Sequence, residues 1–441
     1  IISAGTLTAD VSTLAIGDSN GNSPFLFDFD LSQSGNDLIL SAERKSAADL
    51  GIAPSLEAAI DPTIAALNTD LDLGVLIFNL TTQEDFQSAF GQLVAGPLDA
   101  PLAYARAQTN SVTSIITQRL DMARNSGEYG RTFWLQEETY FINRDEDAAS
   151  NGFDGGGFAL AAGVDAGFGE VIDAVGLSVS FSSARYDEQT GEDFPFNRVT
   201  YGVGAYGAAT FGDFKVDARG EFAVSESDSE RNVAIGNVRR QAIGEWEGSQ
   251  VSASGRISYE SEVSGFTIEP FASLDFVSIE EDAYTETSGG TGVNLSVSDR
   301  EADSLRANLG IKAGKVYEIQ PSLYDTGIPG TLHPQLTLAW SQETIDDPIE
   351  ATYTYAVGGE SFTLTSDPED GAGIIGADIA YENEYAKVHP ETDIDVDKAA
   401  ANPPAATKAI TQAGKLAISG LAKTIISLST TSSLIFGSDT Y

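Results

Sequence analysis

Between Phe214 and Phe222 the chain places Phe214, Val216, Ala218, Gly220 and Phe222 on one face of an extended strand and Lys215, Asp217, Arg219 and Glu221 on the other. A half-buried soluble sheet alternates too, with its charged face in water, so one such strand is weak evidence and a long series of them is strong evidence. A wall with hydrocarbon on one side and a water-filled lumen on the other accepts this pattern, because a sheet in lipid must close on itself and alternate apolar-out with polar or small-in. The same alternation runs from Phe158 to Phe168, where Phe158, Leu160, Ala162, Val164, Ala166 and Phe168 oppose Gly163, Asp165 and Gly167. It recurs in Val199 to Phe211, with Tyr201, Val203 and Phe211 outward, and in Val251 to Tyr259, with Ile257 outward and Arg256 inward. Further on, Ile268 and Leu274 oppose Glu269 and Asp275, and Leu309 and Ile311 oppose Arg306 and Lys312. Leu332 to Trp340, Ile375 to Tyr381, Arg131 to Ile142 and Gly176 to Phe181 complete a series of about ten strands, each near the ~9 to 11 residues that a tilted membrane strand needs.

Connections between these strands alternate in length, as expected where short periplasmic turns trade places with long outer loops. The short ones are Gly169 to Ala174, Gly212 to Asp213, Ser261 to Gly265 and Asn383 to Glu384. The long ones span about 143–157, 185–198, 224–248, 279–304 and 341–370. They carry Asp145, Glu146, Asp147, Asp187, Glu188, Glu192, Asp193, Glu280, Glu281, Asp282, Asp346, Asp347, Asp367, Glu369 and Asp370, so one rim is acidic. Two readings of that rim stay open: plain solvation, and Ca²⁺ or Mg²⁺ bridging to anionic lipopolysaccharide or a neighbour, since both ions prefer hard oxygen ligands.

Composition narrows the remaining options. A balance of 66 acidic against 24 basic residues, net charge -42, disfavours nucleic acid as a partner. Cys is absent and His333 and His389 are the only imidazoles, which removes thiolate chemistry and multi-His metal sites. No run of about 18 apolar residues exists, so no helix is long and apolar enough to cross a membrane. The sequence opens at Ile1 without Met and without a signal peptide, as expected of a processed or truncated product.

Ahead of the wall, residues 1–45 hold short β runs, Phe25 to Leu31 and Asp37 to Ser41, that fit the last rungs of a β-solenoid. Gly17-Asp18-Ser19-Asn20-Gly21-Asn22 reads as a turn: the lipase-like Gly-Asp-Ser lacks a following Leu and a His partner, and the calcium-loop spacing of Asp18, Asn20 and Asn22 lacks its Gly and closing Glu. Residues 46–107 turn helical, with Ala58, Ile60, Ile64, Leu67, Phe86, Phe90 and Leu93 at helical spacing. A lone helix over 108–127, from Asn110-Ser111-Val112 through Arg119, Asp121 and Arg124, then precedes the first wall strand and is placed to plug the lumen.

Four stretches taken together resemble the translocator domain of monomeric autotransporters, type V secretion: the Asn-Ser-Val to Arg-Leu to Arg helix, Phe133-Trp134-Leu135-Gln136, Gly155-Gly156-Gly157-Phe158, and Phe362-Thr363-Leu364-Thr365 ahead of Gly376-Ala377-Asp378. The resemblance covers about residues 1–388 and implies a 12-stranded outer-membrane barrel over 128–388, a helix spanning its pore, a passenger at the cell surface, and insertion by the barrel-assembly machinery. It also implies, from members that cut themselves within the helix, that Asn110 with Asp217, Glu221, Glu269 or Asp275 is a self-cleavage constellation. The residues themselves favour the simpler role, in which Asn110 caps the helix through the N–H of Val112 or Thr113.

The last stretch, 389–441, departs from that pattern. His389-Pro390-Glu391 and Asn402-Pro403-Pro404 break it, Lys408, Lys415 and Lys423 recur at helical spacing in Ala405 to Leu428, and Lys423 to Ile435 or Tyr441 is the candidate closing strand. The expectation is therefore a non-enzymatic anchor and translocator without a cofactor. Its inward residues are Lys215, Asp217, Arg219, Glu221, Arg256, Glu269, Asp275, Arg306 and Lys312, with Ser111, Arg119, Asp121 and Arg124 on the helix. Its partners are outer-membrane lipid, lipopolysaccharide, the assembly machinery and its own passenger. The rival expectations are a barrel-anchored adhesin or surface-layer protein, and a porin-like channel; an enzymatic domain upstream stays open.

Overall fold

The computed structural model describes residues 2–3, 23–96, 98–126, 131–144, 152–168, 171–188, 195–319, 330–345, 347–366, 371–383, 387–388 and 391–395. The turn at residues 17–22, the acidic residues Asp145, Glu146, Asp147, Glu192, Asp193, Asp346, Asp367, Glu369 and Asp370, and the expected helix at 405–428 lie outside the described residues.

From residue 23 the described chain forms a hairpin, β1 (Phe27–Ser34) and β2 (Asp37–Arg44). Its strands pair antiparallel from Phe27↔Arg44 to Ser34↔Asp37 around Gly35, which sits at φ 62, a left-handed turn that glycine adopts without strain. The short strand Ile2–Ser3 pairs antiparallel with β2, and residues 4–22 of the expected solenoid end lie outside the described residues. Four short helices follow: α1 (Ala47–Leu50), α2 (Ile60–Leu67), α3 (Leu71–Phe78) and α4 (Gln83–Gly91). Their starts are written in the sequence, because Ser46, Asp70 and Thr82 each accept from the backbone N–H three residues on and satisfy one orphan donor.

Helix α5 (Ala100–Ser126) is the long one. It starts well before the expected 108, which places Asn110 inside the helix, where a capping role is not available.

After it the wall winds as consecutive antiparallel strands: β3 (Arg131–Arg144), β4 (Phe153–Phe168), β5 (Ile172–Glu188), β6 (Phe196–Phe211), β7 (Phe214–Ile235), β8 (Val238–Tyr259) and β9 (Phe266–Glu281). The short strand β10 (Leu295–Val297) leaves the wall, which then resumes with β11 (Arg300–Gly314) and β12 (Gly330–Glu343). β13 (Ile349–Tyr355) and β14 (Phe362–Ser366) leave it again before β15 (Gly371–Asn383). The wall is a 14-stranded sheet that includes short pieces, among them Lys387–Val388 and Glu391–Asp395, both paired to β15. Among the described residues it stays open between β3 and those last pieces.

Side-chain parity follows the sequence. Phe214, Val216, Ala218, Gly220 and Phe222 are exposed on the lipid side while Arg219 and Glu221 are buried on the lumen side. Tight turns close the short end: Gly212 at φ 64 joins β6 to β7, and Ser264 and Gly265, at φ 55 and 78, lead into β9.

The long end differs from the expected loops. The stretch 224–248 is the continuation of β7 and β8, turning at Gly236 (φ 57) well above the lipid zone. Within 279–304 and 341–370 lies a four-stranded sheet, in the order Tyr284–Thr285, β10, β13, β14. One apolar core joins this outer sheet to the helices, with Leu67, Phe86 and Leu93 meeting Val233, Leu295, Ile349, Ala351, Tyr355 and Leu364. What reads as solvated loop is a folded cap.

Candidate functional site

The site is the lumen and the helix within it. Val112, Ile115, Ile116, Leu120 and Ala123 recur at helical spacing and form the buried stripe of α5. They pack against small wall residues, Ala159, Ala161, Ala174 and Ala208, flanked by Trp134, Tyr140 and Tyr206. Small inward residues are what allow a cylinder of about 10–12 Å to lie inside the wall. Each of the large apolar side chains on that stripe contributes roughly 1.5–3 kcal/mol relative to exposure.

Room for the larger rings comes from glycines directly across the sheet. Trp134 pairs with Gly163 and Tyr206 with Gly176 in the strand register. A Cβ on Gly163 would lie 2.6 Å from Trp134 Cζ2, so the indole lies in the space a side chain would need.

A polar ladder runs along the other contacts of α5. At the long-loop end Tyr104 stacks on Tyr186 at 5.2 Å and donates from its hydroxyl to the carbonyl of Arg185 at 3.2 Å. Next, Arg106 pairs with Glu343 at 3.5 Å, and Gln250 donates to Gln108 at 3.0 Å and to Thr109 at 2.9 Å. Arg219 donates to the Thr109 carbonyl at 3.1 Å, to Thr113 Oγ1 at 2.9 Å and to Ser252 at 2.9 Å. Deeper, Arg119 Nε and Nη2 reach both oxygens of Asp165 at 2.8 and 2.6 Å; Tyr206 donates to Asp165 at 2.8 Å and receives from Trp134 Nε1 at 2.6 Å. At the short-turn end Arg124 binds Asp173 at 3.0 Å, Asp121 at 3.0 Å and Asp217.

The first turn of α5 touches the long-loop end of the wall and its last turn touches the short-turn end, so the helix runs from one rim to the other.

The expected lumen residues face inward as paired groups. Lys215 lies 2.5 Å from Glu260 and 3.4 Å from Glu269, Arg256 lies 2.8 Å from Glu269, and Arg306 lies 3.5 Å from Glu343. Asp275 accepts from Ser254, from Ser273 at 3.2 Å and from Asn308 at 2.5 Å; Glu221 accepts from Ser180 at 3.1 Å; Lys312 stands opposite Glu269 in the register. Ser111 is buried on the helix. Asn110 is exposed, and the carboxylates considered beside it, Asp217, Glu221, Glu269 and Asp275, are engaged by the groups just named. The residues not anticipated are Trp134, Asp173, Tyr206 and Gln250, together with Arg106 and Thr109; the sequence pattern places Asp165 on the inward face but gives it no partner. Trp134, Asp165 and Tyr206 share the inward parity of their strands, which is the signal that marks them.

On the rim, Glu280, Asp282 and Asp347 are exposed, but Glu281 is buried between Arg198, at 2.7 Å, and Arg300. Burial alone would raise the Glu281 carboxyl; the two guanidinium groups overcome this and hold it below the ordinary carboxylate value. Among the described residues no group of three or more His, Cys, Asp or Glu side chains is placed to share a metal ion.

The autotransporter β-domain family matches residues 133–386 of the chain. Among solved structures, the translocator domain of autotransporter NalP from Neisseria meningitidis aligns at 11% identity over 64% of this chain and 94% of its own, with a TM-score of 0.40. The β-domain of the Bordetella autotransporter BrkA aligns at 15% identity over 60% and 96%, TM-score 0.35, and the transport unit of AIDA-I from Escherichia coli at 11% over 66% and 93%, TM-score 0.38. No curated protein sequence matches.

Proposed function

This chain belongs to the autotransporter β-domain family and is an outer-membrane translocator, and on that premise we propose that it exports the segment ahead of α5 and then anchors it at the cell surface as a passenger. The observation that carries the reading is the threading of α5. Its N-terminal end meets Tyr186 and Arg185 at the long-loop rim, and its C-terminal end meets Asp173 and Asp217 at the short-turn rim. A chain with that path delivers everything N-terminal to Ala100 to the side where outer-membrane barrels carry their long loops.

The role is mechanical. The wall supplies a lumen, the helix occupies it once export ends, and no bond is made or broken by the chain. Its partners on this reading are outer-membrane lipid and lipopolysaccharide around the wall, the barrel-assembly machinery that inserts it, and its own passenger. An epitope inserted at the Gly35–Asn36 turn, which has open space around it, is expected to bind antibody on intact cells. An epitope reached only after the outer membrane is permeabilised would overturn the proposal.

A further inference from the structure

Arg231, on the part of β7 that stands above the lipid zone, is almost completely buried at 1% exposure. It binds Glu286 through Nε at 3.2 Å and through Nη2, and donates to the Val293 carbonyl at 2.8 Å. Its remaining donors go to the carbonyls of Gln92 at 2.9 Å and Leu93 at 3.1 Å, which belong to the segment ahead of α5. The Tyr355 hydroxyl donates to the same Leu93 carbonyl at 3.1 Å and lies 2.7 Å from Thr63 Oγ1. From the wall, the N–H of Ala234 donates to the Gln92 side-chain oxygen at 2.7 Å. The wall's outer part thus holds donors that are satisfied only when residues 92 and 93 are in one register.

Packing says the same. Helices α1 to α4 are each at most 9 residues long, below the length at which an isolated helix is stable in water, so they depend on tertiary packing. Their apolar faces share one core with β10, β13 and β14 of the wall's outer sheet. Without the helices, Ile349, Ala351 and Leu364 would face water and Arg231 would be buried short of acceptors. The lumen meanwhile is filled by a single helix of about 10–12 Å, too narrow for the assembled helical segment.

We propose that the outer sheet of the wall is the docking site and folding template for residues 23–98 once they emerge, and that Arg231 and Tyr355, by holding the Gln92–Leu93 carbonyls, fix where the exported chain stops. The proposal rests on the export reading above. The segment threads unfolded, collapses on the first apolar surface it meets, and then cannot slide back through the lumen.

The test uses the full chain in cells with the epitope at Gly35–Asn36. Docking is read as protection of residues 23–98 from protease added to intact cells, which the parent is expected to show. Arg231→Met with Glu286→Met, which leaves no unpaired charge, is expected to raise the rate of cleavage about tenfold, with the barrel still heat-modifiable on gels. If that pair prevents barrel folding, Tyr355→Phe, which removes only the hydroxyl, takes its place with a smaller expected rise in cleavage. Surface epitope with unchanged protection in the folded variants overturns the docking proposal alone. An epitope inaccessible in the parent overturns the export reading and the docking proposal that rests on it.

Discussion

Arg119 and Asp165 join the pore helix to the wall through two parallel hydrogen bonds, at 2.8 and 2.6 Å, with both residues under 10% exposed. Paired forks of this kind are rigid as well as strong, and this one is braced by the Tyr206 hydroxyl behind it. Removing the cation leaves a buried carboxylate with only part of its shell, at a cost of about 3–5 kcal/mol.

Arg119→Met is therefore expected to loosen α5 without unfolding the wall. The measurement is current through single proteins in planar bilayers, where the variant should open in brief, frequent steps that the parent lacks. Arg119→Met combined with Asp165→Leu should restore much of the quiet baseline, because neither charge is then stranded. A variant as quiet as the parent would mean that the pair does not hold the helix.

Deleting residues 110–124 removes Val112, Ile115, Ile116 and Leu120 from the lumen along with the Arg119 and Arg124 contacts. Single-channel conductance should rise several-fold. Unchanged conductance would contradict the plugged lumen, unless the cap alone seals the outer mouth; deleting residues 23–98 as well separates the two seals.

How much of this was legible in the sequence depends on what each residue faces. In the lipid zone the two sides of a strand differ in chemistry, so Phe214 to Phe222 announces its own pairing and parity. Above the lipid that contrast disappears. Residues 225–230 read Ser-Glu-Ser-Asp-Ser-Glu, which keeps the period of two and buries its serines as β7 continues against β8, but with no apolar face the stretch reads as a polar loop. The cap was obscured for another reason. Its strands β13 and β14 do alternate, with Tyr353, Tyr355, Phe362 and Leu364 buried, but they are short and lie between turn-rich pieces. Lumen-facing residues were recoverable from parity; their partners were not. Whether Asp217 meets Arg124 or Asn110 depends on the phase and start of α5, and Ala100 to Ala107 merge into the helical text before them, so the start is invisible without the tertiary contacts of Tyr104 and Arg106.

Gly163 tests how the lumen makes room for its rings. A Cβ there would meet the Leu177 carbonyl at 2.6 Å as well as the Trp134 ring at 2.6 Å, and the backbone cannot give way as a flexible side chain would. Gly163→Val is expected to impair barrel assembly, read as loss of the heat-modifiable band. Gly255, with nothing within 4 Å of a built Cβ, is the matched control, and Gly255→Val should assemble normally.

On the outer face, Leu177 is 64% exposed in the middle of β5, where hydrocarbon surrounds the wall. An arginine near the bilayer midplane of such a wall costs about 2–4 kcal/mol. Leu177→Arg should lower the free energy of unfolding in lipid vesicles by that amount, read from urea titrations as a lower midpoint, whereas Leu177→Ile should be near neutral. Equal stability of Leu177→Arg and the parent would show that this face does not contact lipid.

Acid should act on the cap and on the rim that carries it. The hydrogen bond from Arg240 is the main cause that holds the Asp70 carboxyl below its ordinary value of 3.8, and Asp70 ties the segment ahead of α5 to β8. At the rim, where Glu281 joins β9 to β6 and β11 beneath the cap, its carboxyl is held below the ordinary 4.5, the attraction of Arg300 and Arg198 outweighing the effect of burial. In both cases the folded state binds fewer protons than the unfolded state, so the stabilisation is complete above the ordinary values and is lost as pH falls through the lowered ones. Protease protection of residues 23–98 should therefore be flat from neutral pH to about 5 and decline below about 4. Asp70→Asn should weaken docking at neutral pH and make the remaining acid response shallower, because one of the titrating groups is gone. A cap that loosened instead between neutrality and about pH 6 would contradict this carboxylate account of its acid sensitivity.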